Sequence, residues 1–310
     1  MAMGTVHQLI ERGGKKAALQ ADVDRKVVEA ASQFMSDEEA GIGFLYSGWC
    51  QAALPHRRLP DGQSWQIHSE RISLIVEPGS KLGPDGRSFV PSGVAYGSRA
   101  RLIFLYLQST AIRTKSREIE LGGSLREWLQ RMGIPQGGKS QRDVRDQAER
   151  ISRCRFTFHV QQGNGKVGLV NQNVVDTALF VPSSDANEKQ GSLFVETARL
   201  SEVFFDLLQR HPVPVQEAAI KAINNNSVAL DIYAWLAYRL HVLNKPTPVS
   251  WTALKAQFGN GVTRMDNFRV TFLDNLKLSL AVYPDAKVDV EERGLVLHPS
   301  HPPVPERALR

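Results

Sequence analysis

The sequence predicts an α+β chain in which one small unit occurs twice. In each copy a long apolar helix leads into a short strand, a short helix that stops at a glycine, a longer helix and a hairpin. Placing Leu125 over Leu254 gives an offset of 129 residues, and the elements stay in step. Repeated order at a fixed period indicates duplicated domains. This order is typical of a winged helix, so we expect two tandem winged-helix domains with an extended β-hairpin in the first and flexible termini.

The elements follow from local patterns in the two copies. Dense apolar residues predict the long helices, helical spacing predicts the later ones, and glycines mark their ends. The predicted elements are the long helices Val94–Ser116 and Ser227–Leu243, the strands Glu118–Leu121 and Pro248–Ser250, the short helices from Ser124 to Gly133 and from Trp251 to Gly259, and the longer helices Lys139–Arg153 and Arg264–Ala281.

A hairpin is predicted after each longer helix. Arg155–Val160 alternates polar and apolar residues, and Gly163-Asn164-Gly165 turns it back into Lys166–Val170. Val174–Val181 and Leu193–Glu196 are expected to extend this sheet. In the second copy the hairpin is Lys287–Val290 with Leu295–His298.

These elements set the expected domain boundaries. Residues 1–60 form a partly disordered N-terminal segment, although Val23–Met35 has helical spacing. The first winged-helix domain spans 61–196 and the second 197–298. The proline-rich end, 299–310, is expected to be a disordered tail.

Composition excludes several classes of protein. The chain has 310 residues, 42% hydrophobic and 23% charged, which suits soluble domains with real cores. It has no run of 18 apolar residues and no apolar N-terminal stretch, so we expect no membrane partner and no export. Cys50 and Cys154 are not spaced as a ligand pair. We therefore expect a cytoplasmic protein without metal or cofactor.

Positive charge is concentrated in the first copy. Residues 98–166 carry fourteen Lys/Arg and six Asp/Glu, whereas the whole chain has a net charge of +6. Such an excess is expected of a surface that binds a polyanion. A solvated arginine-rich face is the alternative.

The longer helix of the first copy has the pattern of a recognition helix. Val144, Ala148 and Ile151 share one stripe, which leaves the other side for the major groove. Arginine suits guanine and phosphate, and glutamine suits adenine. The alternative is an exposed helix with the ion pairs Arg142–Asp146 and Arg145–Glu149. The candidate DNA-binding residues here are Lys139, Ser140, Gln141, Arg142, Arg145 and Arg153.

The longer helix of the second copy has a similar pattern. Phe268, Phe272, Leu276 and Leu280 form its buried stripe, and Arg269 falls near that stripe, so its side chain must snorkel. Lys166 and Arg293 are candidate DNA contacts from the two hairpins. Arg99 and Arg101, at the start of the first long helix, could also reach the DNA backbone. The remaining candidates in the second copy are Thr263, Arg264, Asn267 and Arg269.

A phosphate-loop motif also occurs, because Gly133–Ser140 satisfies G-x-x-x-x-G-K-[ST]. In a nucleotide site Lys139 would contact the terminal phosphates and Ser140 a magnesium ion. That chemistry needs a strand feeding the loop, but Ser124–Met132 has helical spacing. We therefore interpret the segment as a turn between helices whose amides could grip a DNA phosphate. No nucleophile and base can be paired from spacing, so we expect no enzyme.

Several blocks resemble plasmid-encoded replication initiators of the RepA type. They include Tyr96–Leu102, Trp128–Gly133, Leu230–Val242, Pro248–Trp251 and Gly294–Pro299, and the resemblance covers about residues 42–305. It implies tandem winged helices that bind repeated double-stranded origin DNA, called iterons, and promote melting without nucleotide hydrolysis. It further implies host DnaA and the replicative helicase as partners and a monomer–homodimer equilibrium.

The leading hypothesis is therefore a plasmid replication initiator that binds repeated origin DNA. The alternative is a winged-helix transcriptional repressor without a replication role, which would protect one inverted repeat over a promoter. A nucleotide-hydrolysing enzyme that uses Gly133–Ser140 is a third, disfavoured hypothesis.

Overall fold

The computed structural model describes residues 4–37, 41–69, 72–161, 167–182, 193–305 and 308. The chain is a mixed α/β protein of helices and several small sheets. It divides into two compact units. Residues 51–212 form one, here called the inserted unit, and residues 1–50 with 213–310 form the other, called the split unit. None of the helices in these described ranges is long and apolar enough to cross a bilayer.

The elements alternate along the chain. The helices are α1 (Gly4–Gln20), α2 (Arg25–Met35), α3 (Gly97–Thr114), α4 (Gly122–Arg131), α5 (Gly138–Arg153), α6 (Glu202–Arg210), α7 (Glu217–Ala222), α8 (Ser227–Arg239), α9 (Trp251–Phe258) and α10 (Met265–Ala281). The strands are β1 (Ile42–Tyr46), β2 (Trp65–His68), β3 (Ile72–Glu77), β4 (Ser80–Leu82), β5 (Phe89–Pro91), β6 (Glu118–Glu120), β7 (Arg155–Gln161), β8 (Val167–Asn173), β9 (Val175–Pro182), β10 (Leu193–Leu200), β11 (Pro212–Gln216), β12 (Thr247–Ser250), β13 (Val288–Glu291) and β14 (Gly294–Leu297).

In the inserted unit α3 is the most buried helix. Its apolar residues are nearly continuous, and Leu102, Ile103 and Leu107 are each 1% exposed. A helix that is apolar on most sides needs neighbours on most sides. It contacts α4, α5, α6 and β6. Beside it, β6, β10 and β9 form an antiparallel sheet in that order.

The split unit repeats this arrangement around α8. Ile232, Tyr233 and Leu236 of α8 are fully buried, and α8 contacts α10. The strands β12, β14 and β13 form an antiparallel sheet in that order. In both units the short strand, which comes first in the sequence, lies at one edge of this sheet. The last of the three strands lies in the centre, and the second lies at the other edge, so the order is first, third, second. The predicted repeat of helix, strand, helix and helix is confirmed within one to three residues at most ends.

The hairpin of the first copy differs from the prediction. Strand β7 follows α5 directly, but it pairs with β3 and β8, giving a separate four-stranded sheet with β2. Phe156 and Phe158 are fully buried, and Phe156 meets Phe104 of α3 edge to face at 5.6 Å. The strand that pairs with β6 is instead β10, and β9 pairs with β10 on its other side. Alternation predicts that a strand is half-buried, but it does not identify the partner strand.

The unit boundaries also differ from the expected domains. Residues 197–200 complete β10, where Thr197 is the register partner of Glu120, so the inserted unit continues past 196. The N-terminal segment is helical over α1 and α2, and α2 packs on α7 and α10 of its unit. His7 is 8% exposed, and its ring lies 2.9 Å from the carbonyl oxygen of Ala281. The sequence predicts partial disorder in this segment, whereas its described residues include two packed helices.

The described part of the proline-rich end is likewise packed. Val304 is 2% exposed, and the Tyr283 hydroxyl donates a hydrogen bond of 2.6 Å to the His301 carbonyl. Ser300 accepts from the Lys287 amide. These contacts hold residues 300–304 against the split unit, so the expected disordered tail is not found over them.

Candidate nucleic-acid interface

Helix α5 is amphipathic, and the predicted stripe is its buried face. Val144, Ala148 and Ile151 are 9%, 8% and 1% exposed. The helix packs on α3, which fixes its orientation in the inserted unit. Its opposite side therefore faces solvent.

The N-terminal half of that solvent side is cationic. Lys139 and Arg142 are exposed, and Arg145 is half-buried. Within the described residues, Lys139 and Arg142 form no ion pair. Asp146 lies 2.9 Å from Arg150 instead. The Arg142–Asp146 pair of the alternative interpretation is therefore not found among the described residues, and the Arg142 guanidinium is exposed.

The C-terminal half of α5 is structural. Arg150 is 3% exposed; its Nε lies 2.9 Å from Asp146, and its Nη1 lies 3.3 Å from Asp61. Its guanidinium also lies 5.4 Å from the centre of the Tyr96 ring. Gln147 is 3% exposed and accepts a 2.7 Å hydrogen bond from the Tyr96 amide. These side chains fasten α5 to the segment that leads into α3.

Arg153 is engaged in the same way. Its Nη1 donates a 2.9 Å hydrogen bond to the Ser80 carbonyl, and its Nε lies 3.3 Å from Glu149. These contacts with Ser80 and Glu149 join α5 to β4. Arg153 is therefore less available to bind DNA than the sequence suggests.

The two arginines at the start of α3 have different environments. Arg101 donates to the carbonyls of Leu54 at 2.7 Å and Gly97 at 2.8 Å, so it closes a loop instead of reaching outward. Arg99 is half-buried, and burial lowers the pKa of its guanidinium while the charge of Asp143 opposes that shift. Arg99 therefore lies near Asp143 of α5.

The Gly133–Ser140 segment joins two helices, as its spacing predicts. Helix α4 ends at Arg131, and α5 begins at Gly138. Gly133 has φ of 75°, a conformation that glycine adopts without strain. The Gln141 amide donates to the Gly137 carbonyl at 3.1 Å, closing the first turn of α5. Because a helix precedes the loop, the strand that a phosphate loop requires is not in place.

Two polar residues at the start of α5 have limited exposure. Gln141 donates from Nε2 to the Gln136 carbonyl at 3.0 Å, and Ser140 is half-buried. Both line a shallow groove between α4 and α5 whose apolar wall includes Leu125, Leu129 and Val144. They therefore shape the turn between the two helices as well as its surface.

Helix α10 is the counterpart of α5 in the split unit. Phe268, Phe272 and Leu276 are each 1–2% exposed, and Leu280 is 5% exposed, so the predicted buried stripe is confirmed. Thr263, Arg264 and Asn267 are exposed at its N-terminal end. Arg264 lies 3.5 Å from Asp266, but both side chains are about three-quarters exposed, so this pair is weak.

The structure shows how the charged Arg269 is accommodated beside the buried stripe of α10. Its guanidinium lies 5.3 Å from the centre of the Trp251 ring, where cation–π attraction and the alkyl stem allow partial burial. Arg269 thus braces α10 against α9 and is less available to DNA than its neighbours.

The two predicted hairpin contacts have different outcomes. Arg293 is exposed at the turn between β13 and β14, and its carbonyl accepts a 3.1 Å hydrogen bond from the Trp251 amide. Lys166 lies outside the described residues. Its hairpin, β7–β8, belongs to the four-stranded sheet and is not the counterpart of β13–β14.

The sequence did not distinguish Arg150 from the outward arginines. At 100° per residue, Arg150 lies 120° from Val144 and 160° from Ala148, away from the buried stripe, so helical spacing does not indicate its burial. The signal that could have found its ion pair is Asp146 one turn earlier. Asp61 could not have been found, because it is 89 residues away in the chain.

A comparison with protein families decides the classification. The model of the family described as plasmid encoded RepA protein matches residues 94–252, half of the chain. The chain belongs to this family. Membership of this family supports a role in plasmid replication initiation, which the resemblance of the sequence also implies. The RepA match contains α3, α4 and α5 with Lys139, Arg142 and Arg145, and it ends before α10.

Two solved structures are similar to this RepA-family chain. The selenomethionine derivative of domains 2 and 3 of RctB has a TM-score of 0.47 and 13% identity, over 75% of this chain and 84% of that chain. A second structure of RctB domains 2–3 has a TM-score of 0.43 and 13% identity, over 80% and 94%. Likeness at this level establishes no shared function. No curated protein matches the sequence significantly.

Proposed function

We propose that this chain initiates plasmid replication by binding repeated origin DNA, the iterons, through two winged-helix units. The observation that carries the proposal is the duplicated arrangement of helix, strand, helix, helix and hairpin with its strands in the order first, third, second. In a winged helix the second of the two later helices enters the major groove. That helix is α5 in the inserted unit and α10 in the split unit.

Charge and exposure support the same assignment. Lys139 and Arg142 are exposed at the N-terminal half of α5, the part of a recognition helix that contacts base edges. Arginine can hold guanine O6 and N7 in two hydrogen bonds or pair with phosphate. On α10 the exposed groups are Arg264 and Asn267, and asparagine suits adenine. Arg293, exposed at the β13–β14 turn, would contact phosphate.

Bound at several iterons, the protein would deform the origin and open an AT-rich segment, with phosphate contacts offsetting the deformation energy. Opening would then allow host DnaA and the replicative helicase to be loaded. A monomer–dimer equilibrium would set the active fraction. A footprint over arrayed repeats beside an AT-rich tract supports this proposal, whereas one inverted repeat over a promoter supports a repressor.

The direct test is binding of fluorescent origin duplex by the full-length Arg142→Ala variant. We expect its Kd to rise by about fivefold to 150-fold, because a bidentate arginine contact with a base contributes about 1–3 kcal/mol. Arg210→Ala is the matched control, since Arg210 is an exposed arginine of α6 in the same unit. Equal affinity of Arg142→Ala and wild type would show that α5 does not read DNA.

A further inference from the structure

Helix α10 carries a large apolar side chain on its solvent side. Val270 is 63% exposed, although Phe268 and Phe272, two residues before and after it, are buried. At about 100° per residue, Val270 lies roughly 160° from each of these phenylalanines and so points away from the core. Valine is also a weaker helix former than alanine or leucine. Neither packing nor helix propensity therefore accounts for a valine at this position.

The buried positions of α5 and α10 follow the same pattern, which identifies equivalent positions in the two helices. Three buried positions match at an offset of 128 residues: Val144, Gln147 and Ala148 in α5, and Phe272, Asn275 and Leu276 in α10. Three exposed positions match at the same offset: Lys139, Arg142 and Asp143 in α5, and Asn267, Val270 and Thr271 in α10. Val270 thus occupies the position that Arg142 has in α5.

The equivalent exposed residues differ in chemistry. In α5 all three are charged, whereas Asn267, Val270 and Thr271 of α10 carry an amide, an isopropyl group and a methyl beside a hydroxyl. Arginine suits guanine or phosphate, but an apolar group suits the 5-methyl of thymine, which projects into the major groove. Asparagine suits adenine, the partner of thymine. The exposed face of α10 therefore fits T·A base pairs.

We propose, building on the proposed function, that Val270 contacts the 5-methyl group of a thymine in the origin repeat and makes α10 selective for a T·A base pair. Asn267 lies three residues earlier, about 4.5 Å along the helix axis. This spacing is close to the rise of about 3.4 Å between base pairs. The Asn267 amide can therefore form two hydrogen bonds with adenine N6 and N7 of a neighbouring pair.

The turn between β13 and β14 lies beside this part of α10. Trp251 Nε1 donates a 3.0 Å hydrogen bond to the Glu292 carbonyl, and the Arg269 guanidinium lies 5.3 Å from the centre of the Trp251 ring. Trp251 thus connects the turn to the residue that precedes Val270. Arg293 is exposed in that turn, where a phosphate at the border of the groove would meet it. A cation beside an exposed apolar group favours DNA over an apolar protein surface as the occupant.

The two exposed carboxylates of α10 on this side have cationic neighbours. Asp266 lies 3.5 Å from Arg264, and Asp274 lies 3.3 Å from Lys277. Each cation offsets part of the repulsion between its carboxylate and a phosphate. The surface around Val270 therefore has balanced charge, which suits contact with base edges.

The test uses the full-length protein and origin duplexes in which one thymine at a time is replaced by deoxyuridine, which lacks only the 5-methyl group. At one position the Kd of wild type should rise about threefold to fivefold, the factor expected for one buried methyl group. Val270→Ala should bind the natural duplex severalfold more weakly and show no further rise at that uracil. Val242→Ala is the matched control, because Val242 is a 55% exposed valine of the same unit outside α10 and its hairpin. Equal melting temperatures of the three proteins would show that they fold.

The outcomes separate this proposal from the proposed function. A wild-type Kd that is the same for every substituted duplex overturns the methyl contact and leaves iteron binding intact. An equal rise at the same uracil in wild type and Val270→Ala overturns the assignment to Val270. A change in self-association of Val270→Ala, with unchanged DNA binding, also overturns it and assigns Val270 to a protein contact. Failure of wild type to bind origin DNA overturns both proposals.

Discussion

Two arginines of α5, eight residues apart, have opposite environments. Arg142 is exposed and makes no ion pair within the described residues, whereas Arg150 is 3% exposed between Asp146 and Asp61. A buried guanidinium needs its partners because its desolvation must be offset. An exposed guanidinium without a partner costs the fold nothing and is available to a ligand. The proposed DNA binding and the stability of the unit therefore involve different arginines of α5.

Substituting Arg150 should lower stability more than any outward arginine of α5. Arg150→Ala leaves Asp146 and Asp61 without their shared cation and removes the contact between the guanidinium and the Tyr96 ring. Both carboxylates are about 40% exposed, so water limits the loss, and we expect about 2–3 kcal/mol in the free energy of unfolding. Urea denaturation measures it. Arg142→Ala should change that energy by less than about 0.5 kcal/mol; equal losses in the two variants would contradict the division of roles.

The thiol of Cys154 should be inert in the folded protein. It is 1% exposed, its Sγ lies 3.6 Å from the Gly93 carbonyl, and burial raises its pKa to about 11. The thiolate is the reactive form, and a raised pKa keeps it scarce below pH 11, about one in a thousand at pH 8. Iodoacetamide at pH 8 should therefore label Cys154 only after denaturation. Fast labelling of native protein, mapped by mass spectrometry, would show that the site opens readily.

At the scale of elements, the sequence predicts what is local. The helix α10 follows from a stripe of four apolar residues. The pairing of β7 does not, because its partner β3 lies about 80 residues earlier and alternation is the same for any partner. The same limit explains why β9–β10 was not recognised as the counterpart of β13–β14. The candidate site was predictable as a helix face, but its anchors Asp61 and Tyr96 were not.

The start of α9 depends on one side chain. The Ser250 hydroxyl accepts a 3.2 Å hydrogen bond from the Ala253 amide, and Ser250 also ends β12 beside Gly294. Ser250→Ala should lower the free energy of unfolding by about 1 kcal/mol, the usual contribution of an N-cap. Thermal or urea melts measure this loss. Ser250→Asp keeps an acceptor and is the control, so a loss of equal size in both variants would mean that the hydroxyl does not act as a cap.

At the scale of the whole molecule, the split unit shows why sequence order misled the domain assignment. Helix α2 precedes the inserted unit in the sequence but packs on α7 and α10, more than 180 residues later. The contact between His7 and Ala281 spans 274 residues. Local sequence patterns do not reveal contacts between segments so far apart in the chain. The 129-residue repeat can be read from the sequence because the elements of each copy follow one another along the chain.

The distribution of charge makes a prediction for the complete protein. The segment 98–166, which contains α5, carries an excess of eight positive charges. Binding that neutralises phosphates releases counterions, so the logarithm of affinity should fall linearly with the logarithm of salt concentration. Between 50 and 200 mM salt we expect a steep loss, and the slope should be about one unit shallower for Arg142→Ala if it contacts a phosphate. An unchanged slope with weaker binding would assign Arg142 to a base edge. A flat titration of wild type would exclude a phosphate-dominated interface, because neutral contacts release no counterions.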